Sequence, residues 1–275
     1  MLILLPPSEG KAAAGDGPPL DLATLSLPEI NGARAQVLEE LEELCAGPAE
    51  RARTVLGLSA RQMGEVERDR SVRTAATLPA CRLYTGVLYD ALRLPELLAG
   101  DSAAVTRASV VIFSGLWGVV TPEDHLPPYR LSMGVKLPRL GGLGAFWRGH
   151  LSEPLTKQAT GQLIVDCRSA AYAAAFKPDP DTAGHSVSVR VCSERVVNGE
   201  THRSVVSHMA KATRGAVAHD LLAARVDAET PQELSAALHD LGYRVELGPP
   251  PRHGTTRTMD VIVAETSGGG HKKGP

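Results

Sequence analysis

Three short runs of the chain are apolar almost throughout: Leu2–Leu5, residues 110–113 and residues 162–165. A strand with one face in water alternates polar and apolar positions, so these runs predict strands buried on both faces of a sheet. Residues 187–191 behave differently: Val187, Val189 and Val191 alternate with Ser188 and Arg190. Asn198-Gly199 follows, the dipeptide a tight turn prefers, so an antiparallel hairpin is predicted near 185–207, with arms 185–197 and 200–207. A further strand is predicted over 243–247, and residues 255–264 are predicted to add an edge strand. The helical period is clearest over 31–46. There Val37, Leu38, Leu41, Leu44 and Cys45 share one face, while Glu39, Glu40, Glu42 and Glu43 lie mostly on the other and read as a solvated surface. Gly47-Pro48 ends that helix. Other helices are predicted over 48–56, from the Ser59/Gln62 capping box to 72, over 87–92, 102–108, 149–159 and 170–176, and up to 224. Thr230-Pro231-Gln232-Glu233 combines an N-cap, an N1 proline and a capping-box glutamate, and starts one more. Residues 12–30 are loop.

This pattern predicts an α/β (mixed α+β) fold: a single compact domain over 1–266 with a central mixed sheet covered by helices. The Gly- and Lys-rich stretch 267–275 is predicted to be a disordered tail. Composition adds limits. Hydrophobic content of 43% and charged content of 22% over 275 residues suit a soluble globular protein with a sizeable core. A net charge of −2 gives no global basic field, so nucleic-acid binding would need a local patch. The four cysteines form no C-x-x-C pair, which speaks against zinc and points to reduced thiols in a cytoplasmic protein. The apolar start meets Pro6-Pro7 too soon for a signal peptide, and no apolar run approaches the ~20 residues of a membrane span. No Glu-x-x-His pair suggests a di-iron site. No metal or cofactor is expected.

Candidate chemistry sits where the unbroken strands end. After Leu5 come Pro6-Pro7-Ser8-Glu9-Gly10-Lys11, a turn with free backbone N–H groups and one cation that could bind an anion. After 110–113 come Ser114-Gly115, Trp117, Gly118 and then Tyr129-Arg130. The stretch 109–147 holds both tryptophans and two of the three phenylalanines, a concentration that a core explains most simply and a pocket floor more sharply. After 162–165 come Asp166-Cys167-Arg168-Ser169. Lys211 and Arg214 are three apart and share a helix face, either a solvated basic surface or an anion clamp. If the buried strands run parallel, their polar ends share the carboxyl edge of the sheet, where open α/β sheets bind ligands. An anion or nucleobase-like ligand pocket is then expected from Lys11, Ser114, Trp117, Tyr129, Arg130, Arg168, Ser169, Lys211 and Arg214, with Asp166 as candidate general base. Arg130, Arg168 and Arg214 are expected to share one cavity.

Several segments taken together resemble the peroxide stress protein YaaA family. They are LILLPPSEGK (2–11), YTG (84–86), FSGLWGV (113–119), PYRLSMG (128–134), Phe146-Trp147, DCRSAAY (166–172), AKATRG (210–215) and Gly242-Tyr243. SGLWG followed by PYRLxMG is the most diagnostic part. The turn before Lys11 is longer than the Ser-Pro-Ala-Lys-like turn of other members. The resemblance implies a role in resistance to hydrogen peroxide through lower free iron, hence less iron-driven DNA damage. It also implies a compact mixed α/β fold and non-sequence-specific binding of double-stranded DNA through a helix-hairpin-helix-like element. The segment 136–144 has the L-P-x-L-G character of such a hairpin. The DNA surface would then include Lys136, Arg139, Lys211 and Arg214, with backbone N–H groups meeting phosphates.

Overall fold

A computed structural model describes residues 1–197, 200–205, 209–250 and 255–264. In chain order the strands of its main sheet are β1 (Leu2–Leu5), β2 (Val110–Ser114), β3 (Gly118–Val120), β4 (Ile164–Asp166), β5 (Ser186–Val197), β6 (Glu200–Val205), β7 (Val245–Leu247) and β8 (Arg257–Ala264). They lie in the order β7-β8-β5-β4-β1-β2-β3, with β6 paired to β5. The three unbroken apolar runs are thus β2, β1 and β4, side by side and parallel, with Leu4 opposite Val111 on one flank and Asp166 on the other. Buried on both faces, they supply the centre of the core, where each fully buried Leu or Val contributes roughly 1.5–3 kcal/mol. β4, β5 and β8 continue in parallel, while β3, β6 and β7 run antiparallel to their neighbours. The mixed sheet flanked by helices is the predicted architecture.

The helix Asn31–Ala46 spans the predicted residues, but its polar face is not simply solvated. Glu40 is 3% exposed and Arg34 fully buried. Arg34 donates to the Trp117 and Val119 carbonyls at 3.0 and 2.7 Å, which ties the helix to β3. The Glu40 carboxylate accepts the backbone N–H groups of Arg139 and Leu140.

That contact corrects the reading of 136–144. The segment is a small β-hairpin, Lys136–Leu137 against Gly141–Gly142, and not a helix-hairpin-helix. Its amides, which a phosphate would have to occupy, already meet a carboxylate, and the Arg139 side chain pairs with Glu43 at 2.8 Å. The next helix starts directly at Leu143 and runs to Ala159, six residues earlier than its predicted start. Gly144 and Gly149 argue against helix locally, but Leu143, Trp147, Leu151, Leu155 and Ala159 form a buried row at i+4 spacing that overrides them.

Two smaller differences follow from pairing. Residues 257–264 are an interior strand, not an edge, because β7 covers their other side. The helix predicted over 170–176 is a single turn, Ala170–Ala173. The capping box of Ser59 and Gln62 and the Thr230 N-cap are both formed. Asn198-Gly199, Ser207-His208 and the tail 267–275 lie outside the described residues. Among the described residues no helix is long and apolar enough to cross a membrane.

Candidate functional site

The parallel strands β1 and β4 deliver two turns to the same edge of the sheet, and one of the cavities there is a cleft of about 230 Å³. Its floor is the turn after β1. Pro6 and Pro7 stop the strand, and the Pro6 carbonyl accepts the Tyr89 hydroxyl at 2.7 Å. Ser8 Oγ accepts the Thr85 N–H at 3.1 Å, and Lys11 bridges to Tyr84, so the turn is fastened to 84–86. One wall is the first turn of the helix Val87–Leu92, with Val87, Leu88 and Tyr89 presented to the cleft. Val87 is 53% exposed, one of two large apolar side chains so exposed among the described residues. The opposite wall carries Ser169, Tyr172 and, from the helix Ala210–Ala223, Lys211 and Arg214. Gly215 sets the gap between the two helices: a Cβ there would lie 2.1 Å from the Leu88 carbonyl oxygen.

Among the described residues, the cations of this wall have no acidic partners. Arg214 spends two donors on the Val189 carbonyl, at 3.2 and 3.0 Å, which fixes its plane. Lys211 is exposed, and among the described residues no carboxylate pairs with either. Glu9, the one acidic residue lining the cleft, is turned to Arg130, whose guanidinium contacts its carbonyl at 3.1 Å and its carboxylate at 3.3 Å.

Beneath the turn lies a second, small cavity lined by Ser8, Glu9, Lys11, Arg130, Leu131, Ser132 and Tyr172. Lys11 is partly exposed and lines this cavity. Nζ donates to the Ser8 carbonyl at 2.9 Å and lies 4.4 Å from the centre of the Tyr129 ring. That ring is immobilised from below. Tyr129 hydroxyl meets Ser114 Oγ at 2.7 Å and Tyr84 hydroxyl at 2.9 Å, and Ser114 Oγ accepts the Leu116 and Trp117 N–H groups. Burial, and next the Arg130 charge, push the Lys11 amine down to about 7; Asp69, Glu65 and Glu9 oppose the shift. Asp69 is fully buried, and its Oδ1 accepts the Arg130 N–H at 2.7 Å while Oδ2 has no partner. Burial raises this carboxyl to about 7.

A family model described as peroxide stress protein YaaA matches residues 1–247. The chain belongs to that family. A UPF0246 protein of Streptomyces coelicolor is 52% identical over 267 residues, 96% of this chain and 99% of the relative. A UPF0246 protein of Corynebacterium efficiens is 37% identical over 265 residues, covering 96% of this chain and all of the relative. An uncharacterised protein of Campylobacter jejuni shares 28% over 217 residues, 78% of this chain and 82% of its own. The family description assigns the chain a role in peroxide stress.

Several of the YaaA-family motifs converge on this edge, but their predicted residues divide between surface and foundation. Ser169, Lys211 and Arg214 line the cleft, and Lys11 and Arg130 line the smaller cavity. Ser114 and Tyr129 are fully buried supports below Lys11. Trp117 packs edge-on against Tyr129 with its ring centre 5.8 Å away, inside the core and away from both cavities. Arg168 and Asp166 pair with each other. Arg168, its side chain 1% exposed, donates to both Asp166 oxygens at 2.9 and 2.7 Å, to the Tyr172 and Phe176 carbonyls, and stacks 4.2 Å from the Phe113 ring centre. The pair acts as a brace, with both carboxylate oxygens of Asp166 taken by Arg168. Arg130, Arg168 and Arg214 therefore do not share one cavity. Lys136 and Arg139 sit on the hairpin, and Lys136 borders a separate groove with Arg130.

Sequence reasoning missed Asp69, Tyr172, Tyr89 and Thr85. Asp69 lies in Gly64–Arg70, a run of alternating acids and bases that reads as a solvated helix. Tyr172 and Thr85 stand inside the matched motifs DCRSAAY and YTG, which was the available signal.

Proposed function

We propose that this peroxide-stress protein works through the cleft at the carboxyl edge of its sheet, binding a small ligand with one anionic group and one flat or apolar part. The observation that carries the reading is the pairing of walls. Lys211 and Arg214, two cations without carboxylate partners among the described residues, stand beside the Ser169 hydroxyl and face Pro6, Pro7, Val87 and Tyr89 across about 230 Å³. That volume suits a small molecule. An exposed valine at the mouth is explained by an apolar ligand part, and a guanidinium with a fixed plane by a carboxylate or phosphate. The wider reading, duplex binding that limits iron-driven damage to DNA, has less support from the geometry, since the amides of the hairpin and Arg139 are already engaged.

Peroxide survival of cells that depend on the chain separates the two. Lys211→Glu is expected to abolish protection at unchanged protein level, and Lys136→Glu with Arg139→Glu to preserve it. Loss of protection in the hairpin variant alone would transfer the function to the DNA reading.

A further inference from the structure

The two walls of the cleft limit the charge and the size of what it can hold. Lys211 and Arg214 stand three apart on the helix Ala210–Ala223, a spacing that puts their Cβ atoms about 5–6 Å apart, so both can meet one compact group. Arg214 has two N–H donors on the Val189 carbonyl, which leaves the rest of its five-donor fork. Lys211 Nζ and Ser169 Oγ have no hydrogen-bond partner among the described residues. Glu9, whose carboxylate could neutralise this wall, lies 3.3 Å from Arg130 instead. Among the described residues, then, the wall keeps two positive charges uncompensated. A carboxylate or sulfonate would cancel one of them. A phosphate monoester, with a charge of about −1.5 to −2 at pH 7 and three terminal oxygens, cancels both and offers each donor group an acceptor.

The opposite wall limits the rest of the ligand. Pro6, Pro7 and Val87 carry no side-chain donor, and the Tyr89 hydroxyl gives its proton to the Pro6 carbonyl at 2.7 Å. These four side chains present no donor to a hydroxylated ligand, whereas a flat apolar group would cover the exposed Val87. Size agrees. A cavity of about 150 Å³ takes one benzene ring, and the cleft offers about 230 Å³. That leaves room for one ring and one tetrahedral anion.

We propose that the cleft binds phosphate monoesters of small apolar groups, single-ring aryl phosphates fitting best, and discriminates against monoanions of the same shape. The inference rests on the cleft reading and names its ligand class.

Isothermal titration of the full chain at low salt and pH 7.5 tests it with phenyl phosphate, benzenesulfonate, benzoate and inorganic phosphate. Phenyl phosphate is expected to bind at least about tenfold tighter than either monoanion carrying the same ring, the worth of one further charge-assisted contact. Lys211→Gln, at an exposed position, should bring the ring-bearing anions within about threefold of one another. Val87→Ser should weaken phenyl phosphate roughly three- to tenfold and leave inorganic phosphate unchanged. Equal affinities for the ring-bearing anions, or a preference for phenyl phosphate that survives Lys211→Gln, overturn the dianion class while the cleft stands as a binding site. Saturable binding of inorganic phosphate with no gain from the ring overturns the apolar half. No saturable binding of any probe overturns the cleft reading itself, and this inference with it.

Discussion

Asp166 and Arg168 stand where a catalytic carboxylate would be convenient, and their surroundings decide against it. With each nitrogen of the guanidinium engaged and the carboxylate gripped from two sides, the pair holds the turn after β4 in place. Asp166→Asn should therefore lower unfolding free energy by about 3–5 kcal/mol, because it strands a buried charge. Phosphate affinity of the folded fraction should stay unchanged, and urea unfolding with calorimetry checks both. Asp69 makes a different prediction. Its folded pKa of about 7 exceeds the ordinary 3.8, so its contribution to stability is full below 3.8 and is lost as pH rises through 7. Lys11 has its folded pKa depressed from 10.5 to about 7, so its contribution is full above 10.5 and is lost as pH falls through 7. Unfolding midpoints against pH should show a dip near neutrality, and Asp69→Asn should remove its acidic limb. Parallel curves for the variant and the natural chain would refute the assignment. Sequence could show that Asp166, Arg168 and Lys11 sit at strand ends, since runs and turns are local. It could not show which were braced, because that depends on Phe113 and Asp69, which are distant in the chain.

At the level of elements, the cleft exists because two helices meet at a fixed spacing. Gly215 allows the helix Ala210–Ala223 to rest on the Leu88 carbonyl. Gly215→Leu should destabilise the fold by about 1–3 kcal/mol or more through overpacking, and weaken phosphate binding by displacing Lys211 and Arg214. A variant with normal melting and normal binding would show that this contact does not set the cleft. The β-hairpin Lys136–Leu137/Gly141–Gly142 carries its own prediction. Glu40→Ala should cost about 1–3 kcal/mol, since it leaves two amides without an acceptor. Thermal unfolding measures this directly. The central strands were legible because an unbroken apolar run has few other places to go. The hairpin and the early start of the helix Leu143–Ala159 were not, since glycine favours loop locally and only Glu40 and the buried row at 143–159 reverse that preference.

For the whole molecule, the parallel arrangement of β2, β1 and β4 brings four distant segments to one edge: the turn after β1, residues 84–89, the turn after β4 and the helix Ala210–Ala223. The sheet's order could be anticipated only in part, because β1 lies between β2 and β4 and separates Ser114 from Asp166. A charge of −2 over the chain places no strong field on the surface, so binding should depend on the local cations of the cleft. The central claim is that these cations form one anion site. Isothermal titration of inorganic phosphate at low salt tests it most directly. The account predicts saturable binding at a single site, weakened about 10- to 100-fold by Lys211→Glu, as expected for loss of one charge-assisted contact, and unaffected by Lys136→Glu with Arg139→Glu. No saturable binding, or binding that survives Lys211→Glu and fails in the hairpin variant, would contradict it.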